Sequence, residues 1–273
     1  MDNKNNTTVS SERYRVYIAT HKGLVRDNNE DNFTVNNVSK KLEIKNVKFV
    51  SEHDAPMITA VFDGMGGESK GEYASLISAK AAKQLYENII QTPDPETRLE
   101  ELVTAFVQNA NDEIRAFLEE NKCQTGGSTI VALVFIKGVA YPFSLGDSRI
   151  YLLRDGVISQ ISKDQTLAQK KYEANIYTLE EAEKSVDSHK LTSFLGVDYY
   201  RQGLAPQLFE RIVLQEGDKL LLCSDGLYDE LNMGEIRDVI LENPQNPSFK
   251  LVQAALNHGG NDNVTCALIE RVQ

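Results

Sequence analysis

No stretch of the chain approaches the roughly 18 consecutive apolar residues that a bilayer-spanning helix needs, so a membrane association through such a helix is not expected. Cysteine is scarce. Cys123, Cys223 and Cys266 are odd in number and show no CxxC spacing, which argues against a disulfide framework or a cysteine zinc site and for reduced thiols in an intracellular, cytoplasmic protein. Histidine is equally sparse: His21, His53, His189 and His258 form no HExxH or similar zinc spacing, and read as surface or core residues. A basic excess is also missing. With 29 Lys and Arg against 40 Asp and Glu the formal net charge is -11, so a nucleic acid would be repelled, whereas cations would be attracted. Repeats and low-complexity tracts are absent, and Met1 to Glu12 carries no apolar stretch that would act as a secretory signal. These first residues, 1–12, read as a tail and 13–273 as one domain, since 273 residues with 41% hydrophobic content can bury a single large core.

The periodicity alternates between β and α segments. Tyr14 to Thr20 and Met57 to Phe62 have strand character, and the second runs straight into Asp63-Gly64-Met65-Gly66-Gly67. Helical spacing follows from Glu72 to Ile90 and from Glu96 to Glu120, with Pro93 and Pro95 between. Ser128 to Ile136, Val139 to Leu145 and Arg149 to Leu153 read as three strands of an antiparallel meander, separated by Lys137-Gly138 and Gly146-Asp147. Short helices are expected within Gln165 to Lys184, beside a site as a lid. Strands are expected again at Phe209 to Leu214, Lys219 to Cys223 and Val264 to Ile269, and helices at Met233 to Leu241 and Ser248 to His258. Strand clusters interrupted by helix pairs predict an α+β layered fold.

Four aspartates occupy similar places: Asp63, Asp147, Asp225 and Asp262 each follow or precede a strand beside glycine or asparagine. Taken singly, each is a turn residue. Taken together at one end of a sandwich they would repel strongly unless cations neutralised them, and all-oxygen ligation selects hard ions such as Mg²⁺ or Mn²⁺. The glycines of the 63–67 turn allow close backbone approach. They lack the P-loop lysine and the GxGxxG spacing of nucleotide sites. In Arg26-Asp27-Asn28-Asn29-Glu30-Asp31 the arginine offers a planar fork for phosphate oxygens, while Glu30 or Asp31 could face metals.

In this order, these pieces resemble the 2C-type metal-dependent Ser/Thr protein phosphatases, particularly the compact bacterial members. The stretches that carry the resemblance are Gly23 to Arg26 with Asn29-Glu30-Asp31, Val61 to Gly67, Gly127-Ser128-Thr129, Leu145 to Arg149, Leu191 to Gly196, Ser224 to Leu227, and Asp262 to Thr265. They span about Tyr14 to Glu270. The resemblance implies a four-layer αββα sandwich with a metal site at one end. It implies that Asp63 bridges two Mn²⁺ or Mg²⁺ ions, that Asp225 and Asp262 complete the first, that the Gly64 carbonyl and Glu30 serve the second, and that Asp147 with Asp225 holds a third. It implies hydrolysis by direct attack of a water between the metals, with Arg26 on the phosphoryl group and no phosphoenzyme. The substrates implied are phosphorylated proteins, targets of a Ser/Thr kinase, acted on by a monomer. No Cys-x5-Arg arrangement competes with this chemistry.

Several positions depart from the family pattern. Glu68 stands after Gly67 where many eukaryotic relatives have histidine, Gln165 follows Asp164 where histidine is usual, and Ser193 follows Thr192 where arginine is common. The Asn36 to Pro56 segment is longer than a minimal member needs and is expected to be a surface insertion, with an extra hairpin or a partner surface as alternatives. A catalytically silent scaffold of the same fold is the alternative function. Loss of Asp63 or Asp225 would be its signature, and both are present.

Overall fold

Residues 12–66, 70–198 and 204–272 are described by a computed structural model; residues 1–11 of the tail expected at 1–12, and Gly67 and Glu68 of the glycine-rich turn, lie outside the described residues. The chain enters on β1 (Arg13–His21), turns through the short pair β2 (Asn32–Val35) and β3 (Val38–Ser39), and returns along β4 (Val47–Asp54). It then runs through β5 (Met57–Phe62) into the two-residue β6 (Gly64–Met65). Helices α1 (Gly71–Gln91) and α2 (Leu99–Glu120) follow, with a single 3-10 turn at Pro95–Thr97 between them. Next come β7 (Gly127–Ser128), β8 (Ile130–Ile136), β9 (Val139–Leu145), β10 (Arg149–Arg154) and β11 (Val157–Gln160), then the short helices α3 (Leu167–Glu173) and α4 (Leu179–Lys184). The last third comprises β12 (Gln207–Leu208), β13 (Ile212–Val213), β14 (Lys219–Cys223), α5 (Asp225–Tyr228), α6 (Met233–Glu242), α7 (Pro247–His258) and β15 (Val264–Arg271).

Two antiparallel sheets result. One runs β11-β10-β14-β15-β1-β4, and the other β12-β9-β8-β5-β2-β3 with β13 also on β9. The wholly apolar runs explain which strands are central: every residue of β5 and of β8 is buried, because one face meets the opposite sheet and the other meets helices. By contrast β4 alternates half-buried and exposed along its whole length, as an edge strand does. Three apolar clusters define the layers. Val16, Ile18, Val131, Leu133, Phe135 and Leu222 belong to the core between the sheets. Ala74, Ala79 and Ala82 of α1, with Val103, Val107 and Ile114 of α2, pack on the outer face of the second sheet. Ile236, Ile240, Leu251 and Ala255 of α6 and α7 cover the first. The α1 face that meets β5 is built of small residues, which lets the helix axis lie close to the sheet. The architecture is therefore the expected four-layer αββα sandwich.

Three expectations change. The meander ends after two strands: β8 and β9 pair, but β10 pairs with β14 in the other sheet, Arg149 lying opposite Cys223. Gly146 makes that crossing possible. It has φ +107°, and a Cβ there would lie 2.9 Å from the Thr129 Cβ, so only glycine fits. The single strand expected at Phe209 to Leu214 is two fragments, β12 and β13, both held on the β9 edge. The Asn36 to Pro56 segment is not a loose surface insertion, because β4 pairs with β1 from Arg13 to Thr20 and so extends the first sheet. None of the helices among the described residues is long and apolar enough to cross a membrane.

Candidate metal centre

The strand ends deliver their aspartates to the mouth between the sheets. Asp63 follows β5, and its backbone is fixed by Thr129: the Asp63 N–H donates to Thr129 Oγ1 at 3.1 Å, and the Asp63 carbonyl accepts from the Thr129 N–H at 2.9 Å. The same Thr129 hydroxyl shares a hydrogen bond of 2.7 Å with that of Ser148, beside Asp147 at the sheet crossing. Asp225 opens α5 after β14, preceded by Ser224, whose hydroxyl accepts from the Thr265 N–H at 3.0 Å and donates to Asp31 Oδ2 at 2.7 Å. Asp262 precedes β15. Its neighbour Asn263 stitches the first loop to this end, donating to the carbonyls of Lys22 and Asn28 and accepting from the Glu30 N–H at 2.7 Å.

Gly64 is placed where a side chain cannot go, since a Cβ there would lie 2.2 Å from the Gly71 carbonyl oxygen and 2.4 Å from that of Glu30. The Glu30 carboxylate is equally close to the start of α1, since a Cβ at Gly71 would lie 2.3 Å from Glu30 Oε2. Asp63, Asp147 and Asp262 each interact electrostatically with Asp225, and Glu30 with Asp262, but among the described residues the group of three metal-ligating side chains whose donor atoms all lie within 4.8 Å of one another is His189, Asp225 and Asp229. Arg26 lies at the rim, its Nη2 donating to Asp262 Oδ2 at 2.7 Å. Of the acidic pair, Asp31 is 1% exposed and bound to Ser224, so it works as a buried support while Glu30 faces the cluster.

The electrostatics are those of crowded carboxylates. Burial pushes Asp63 well above the usual range, and the charges of Asp225, Asp31 and Asp147 add to it. Asp147 is pushed up by burial and by Asp225, and Asp225 by burial and by Asp262. The approach of the Asp63 and Asp225 carboxyls to one another acts in opposite senses on the two, pushing Asp63 further up and holding Asp225 down. Glu30 is pushed up to about 7, by burial and by Glu72. Glu72 Oε2 is itself buried without a hydrogen-bond partner among the described residues. A convergent set of carboxylate oxygens, repelling one another and leaving one oxygen unsatisfied, fits hard divalent cations.

One consequence is measurable. In the folded metal-free chain Glu30 moves from 4.5 to about 7 and Asp31 from 3.8 to about 7. The folded state then keeps protons that the unfolded chain releases, so this stabilisation is fully present below about pH 4 and is lost as pH rises through about 7. Asp187, held low by Lys171 and Lys190, acts in the opposite sense but only below the ordinary carboxylate range. Thermal melts in EDTA are expected to show Tm falling by several degrees between about pH 5 and about pH 8, with Mn²⁺ restoring it at the upper end. A Tm that climbs over that interval contradicts the assignment.

Asp229 and His189 are functional candidates that the sequence reading passed over. The carboxylates of Asp225 and Asp229 and a ring nitrogen of His189 all lie within 4.8 Å of one another. Asp229 follows Asp225 by four residues on one helical turn, its N–H bonded to the Asp225 carbonyl at 2.9 Å, and that spacing was the available signal. The departures also find places. Gln165 Oε1 accepts from the Gly146 N–H at 2.7 Å, bracing the sheet crossing beside Asp147. The buried Ser193 hydroxyl has no partner among the described residues.

Paired antiparallel sheets under helical layers, with carboxylates at the strand ends of one mouth, are the architecture of the 2C-type phosphatase fold. The family description that matches residues 46–270 is "Protein phosphatase 2C", and the chain belongs to that family. Arg26 and Glu30 lie before the matched range, so their placement rests on the geometry. The serine/threonine protein phosphatase PstP of Mycobacterium tuberculosis is 33% identical over 257 residues, 92% of this chain but 44% of its own length. This chain therefore spans less than half of that relative. The serine/threonine phosphatase stp of Listeria welshimeri is 28% identical over 256 residues, covering 92% of this chain and 94% of its own. Among solved structures, the catalytic domain of PstP in complex with two manganese ions superposes with a TM-score of 0.75 at 30% identity, over 96% of this chain and 100% of that one.

Proposed function

We propose that this chain hydrolyses phosphoserine and phosphothreonine in proteins, opposing a Ser/Thr kinase in the cytoplasm. The observation that carries the reading is the mutual repulsion of the strand-end carboxylates of Asp63, Asp147, Asp225 and Asp262, with Glu30 feeling the charge of Asp262. Asp63 would bridge two cations, Mn²⁺ or Mg²⁺, with Asp225 and Asp262 completing one position and Glu30 with the Gly64 carbonyl the other. Asp147 with Asp225 would hold a third ion, and Asp229 and His189 offer further donors beside it. When bound, such ions supply Lewis acidity toward phosphoryl oxygens and make water acidic at neutral pH.

The chain's own residues do the rest. Arg26 is 57% exposed at its side chain, so its guanidinium is free to exchange Asp262 for two phosphate oxygens, which its planar fork matches. That exchange would also release Asp262 for a cation. A cavity of about 610 Å³ opens beside Asp229, lined among others by Arg149, Asp164, His189 and Met233, with room for polypeptide flanking the phosphorylated residue. Nucleophilic cysteine is not supported: Cys223 and Cys266 are buried, and burial holds Cys266 at about 12 and Cys223 well above its usual value. All three thiols are free, which fits a reducing compartment.

Hydrolysis of a phosphothreonine peptide is expected with Mn²⁺ and not with EDTA, and Arg26→Ala is expected to lower kcat/KM by on the order of 100-fold. Binding of Mn²⁺ by the wild type without turnover would instead support the silent scaffold.

A further inference from the structure

The segment between β2 and β5 reaches into the site loop. Lys40 is only 2% exposed, and its Nζ donates to the Asn29 carbonyl at 3.1 Å. Its own backbone is clamped by Asn32, which accepts from the Lys40 N–H at 3.0 Å and donates to the Lys40 carbonyl at 3.1 Å. Asn29, fully buried, donates to the Lys45 carbonyl at 2.6 Å and to Thr20 Oγ1 at 2.9 Å, and accepts from the Asp31 N–H at 3.1 Å. Lys45 Nζ reaches the Asp27 carbonyl at 2.6 Å, and Asn46 Oδ1 accepts from the Lys22 N–H at 3.1 Å.

These contacts fix one peptide plane in particular. The Asn29–Glu30 peptide has its carbonyl on Lys40 and its N–H on Asn263, so it is held from both sides directly before the Glu30 side chain. A buried ammonium is a costly donor for a carbonyl that a neutral amide would satisfy. What the charge adds is its field: the carboxylates of Asp31 and Glu72 are the groups that oppose the burial cost of Lys40. Both lie beside Glu30, Glu72 by its direct effect on that carboxyl and Asp31 as its neighbour in sequence.

We propose that Lys40 is a positioning residue for the second cation position, holding the Asn29 to Asp31 loop so that Glu30 is presented to the ion. The segment between β2 and β5 is then part of the metal centre's support. This inference rests on the metallophosphatase reading.

The test is Mn²⁺ titration calorimetry on the full chain for wild type, Lys40→Met and Lys40→Gln, with melts in EDTA and peptide hydrolysis at varied Mn²⁺. Lys40→Met is expected to weaken the weaker Mn²⁺ step by at least about tenfold and to raise the half-saturating Mn²⁺ for hydrolysis by the same factor. At saturating Mn²⁺ its kcat is expected to stay within about twofold, and Lys40→Gln, which keeps a donor without the charge, to fall between. A wild-type isotherm in Lys40→Met overturns the proposal, even with a lowered Tm, because the lysine is then only structural. If Lys40→Met does not fold, Lys40→Gln decides by the same criterion. Absence of Mn²⁺ binding by the wild type overturns the metal reading and this inference together, whereas unaltered binding in the variants overturns this inference alone.

Discussion

Asp63→Asn is expected to reduce Mn²⁺-dependent hydrolysis of a phosphothreonine peptide by on the order of 10³-fold or more, and Asp225→Asn to do the same. Asp63 feels the charges of Asp225, Asp31 and Asp147, and under the proposed assignment its loss would remove a ligand from both cation positions. The fold should not suffer. The Asp63 backbone is fixed through Thr129, which the substitution leaves untouched. In the metal-free state the introduced amide is neutral without taking up a proton on folding, so the cost of burying Asp63 at neutral pH is removed. Melts in EDTA at neutral pH are therefore expected to give a Tm for Asp63→Asn equal to or above that of the wild type. Retained Mn²⁺-dependent turnover in this variant would remove Asp63 from the centre.

The second large effect concerns the core between the sheets. Phe135 on β8 is fully buried and its ring lies 4.6 Å from that of Tyr14 on β1, so the pair joins one sheet to the other. Phe135→Ala is expected to cost about 3–5 kcal/mol through lost burial and the cavity left behind. For a domain of this size that corresponds to a Tm lower by about 10 °C, readable by calorimetry with Mn²⁺ present throughout. A shift of only about 1–2 °C would mean that the sheets close over the gap.

The aspartates were legible in the sequence because each stands at a strand end beside a turn former, and strand ends in a sandwich share a mouth. Their joint occurrence is what made them candidates for one metal centre. What the sequence did not show is which sheet a strand joins. Gly146-Asp147 looks like any hairpin turn, yet Arg149 pairs with Cys223 on the opposite sheet, because partner choice depends on contacts some 70 residues away. The same blindness hid the role of residues 36–56: alternation along β4 signals an edge strand, but only the fold shows that it borders β1 and that Lys40 turns inward. Asp229 was hidden by the opposite cause. It lies one helical turn from Asp225, and a single exposed acid on a helix ordinarily signals only solubility.

The chain's change of sheet at Gly146 has a mechanical side. Asp63 hangs from one sheet, Asp225 and Asp262 from the other, and Asp147 from the strap that passes between them. A cation drawing on these donors would be a rivet through both leaves of the sandwich, resisting their shear at the mouth. Loading the ions and stiffening the mouth are then a single event, and the leaves should part most readily at the place where the chemistry is done.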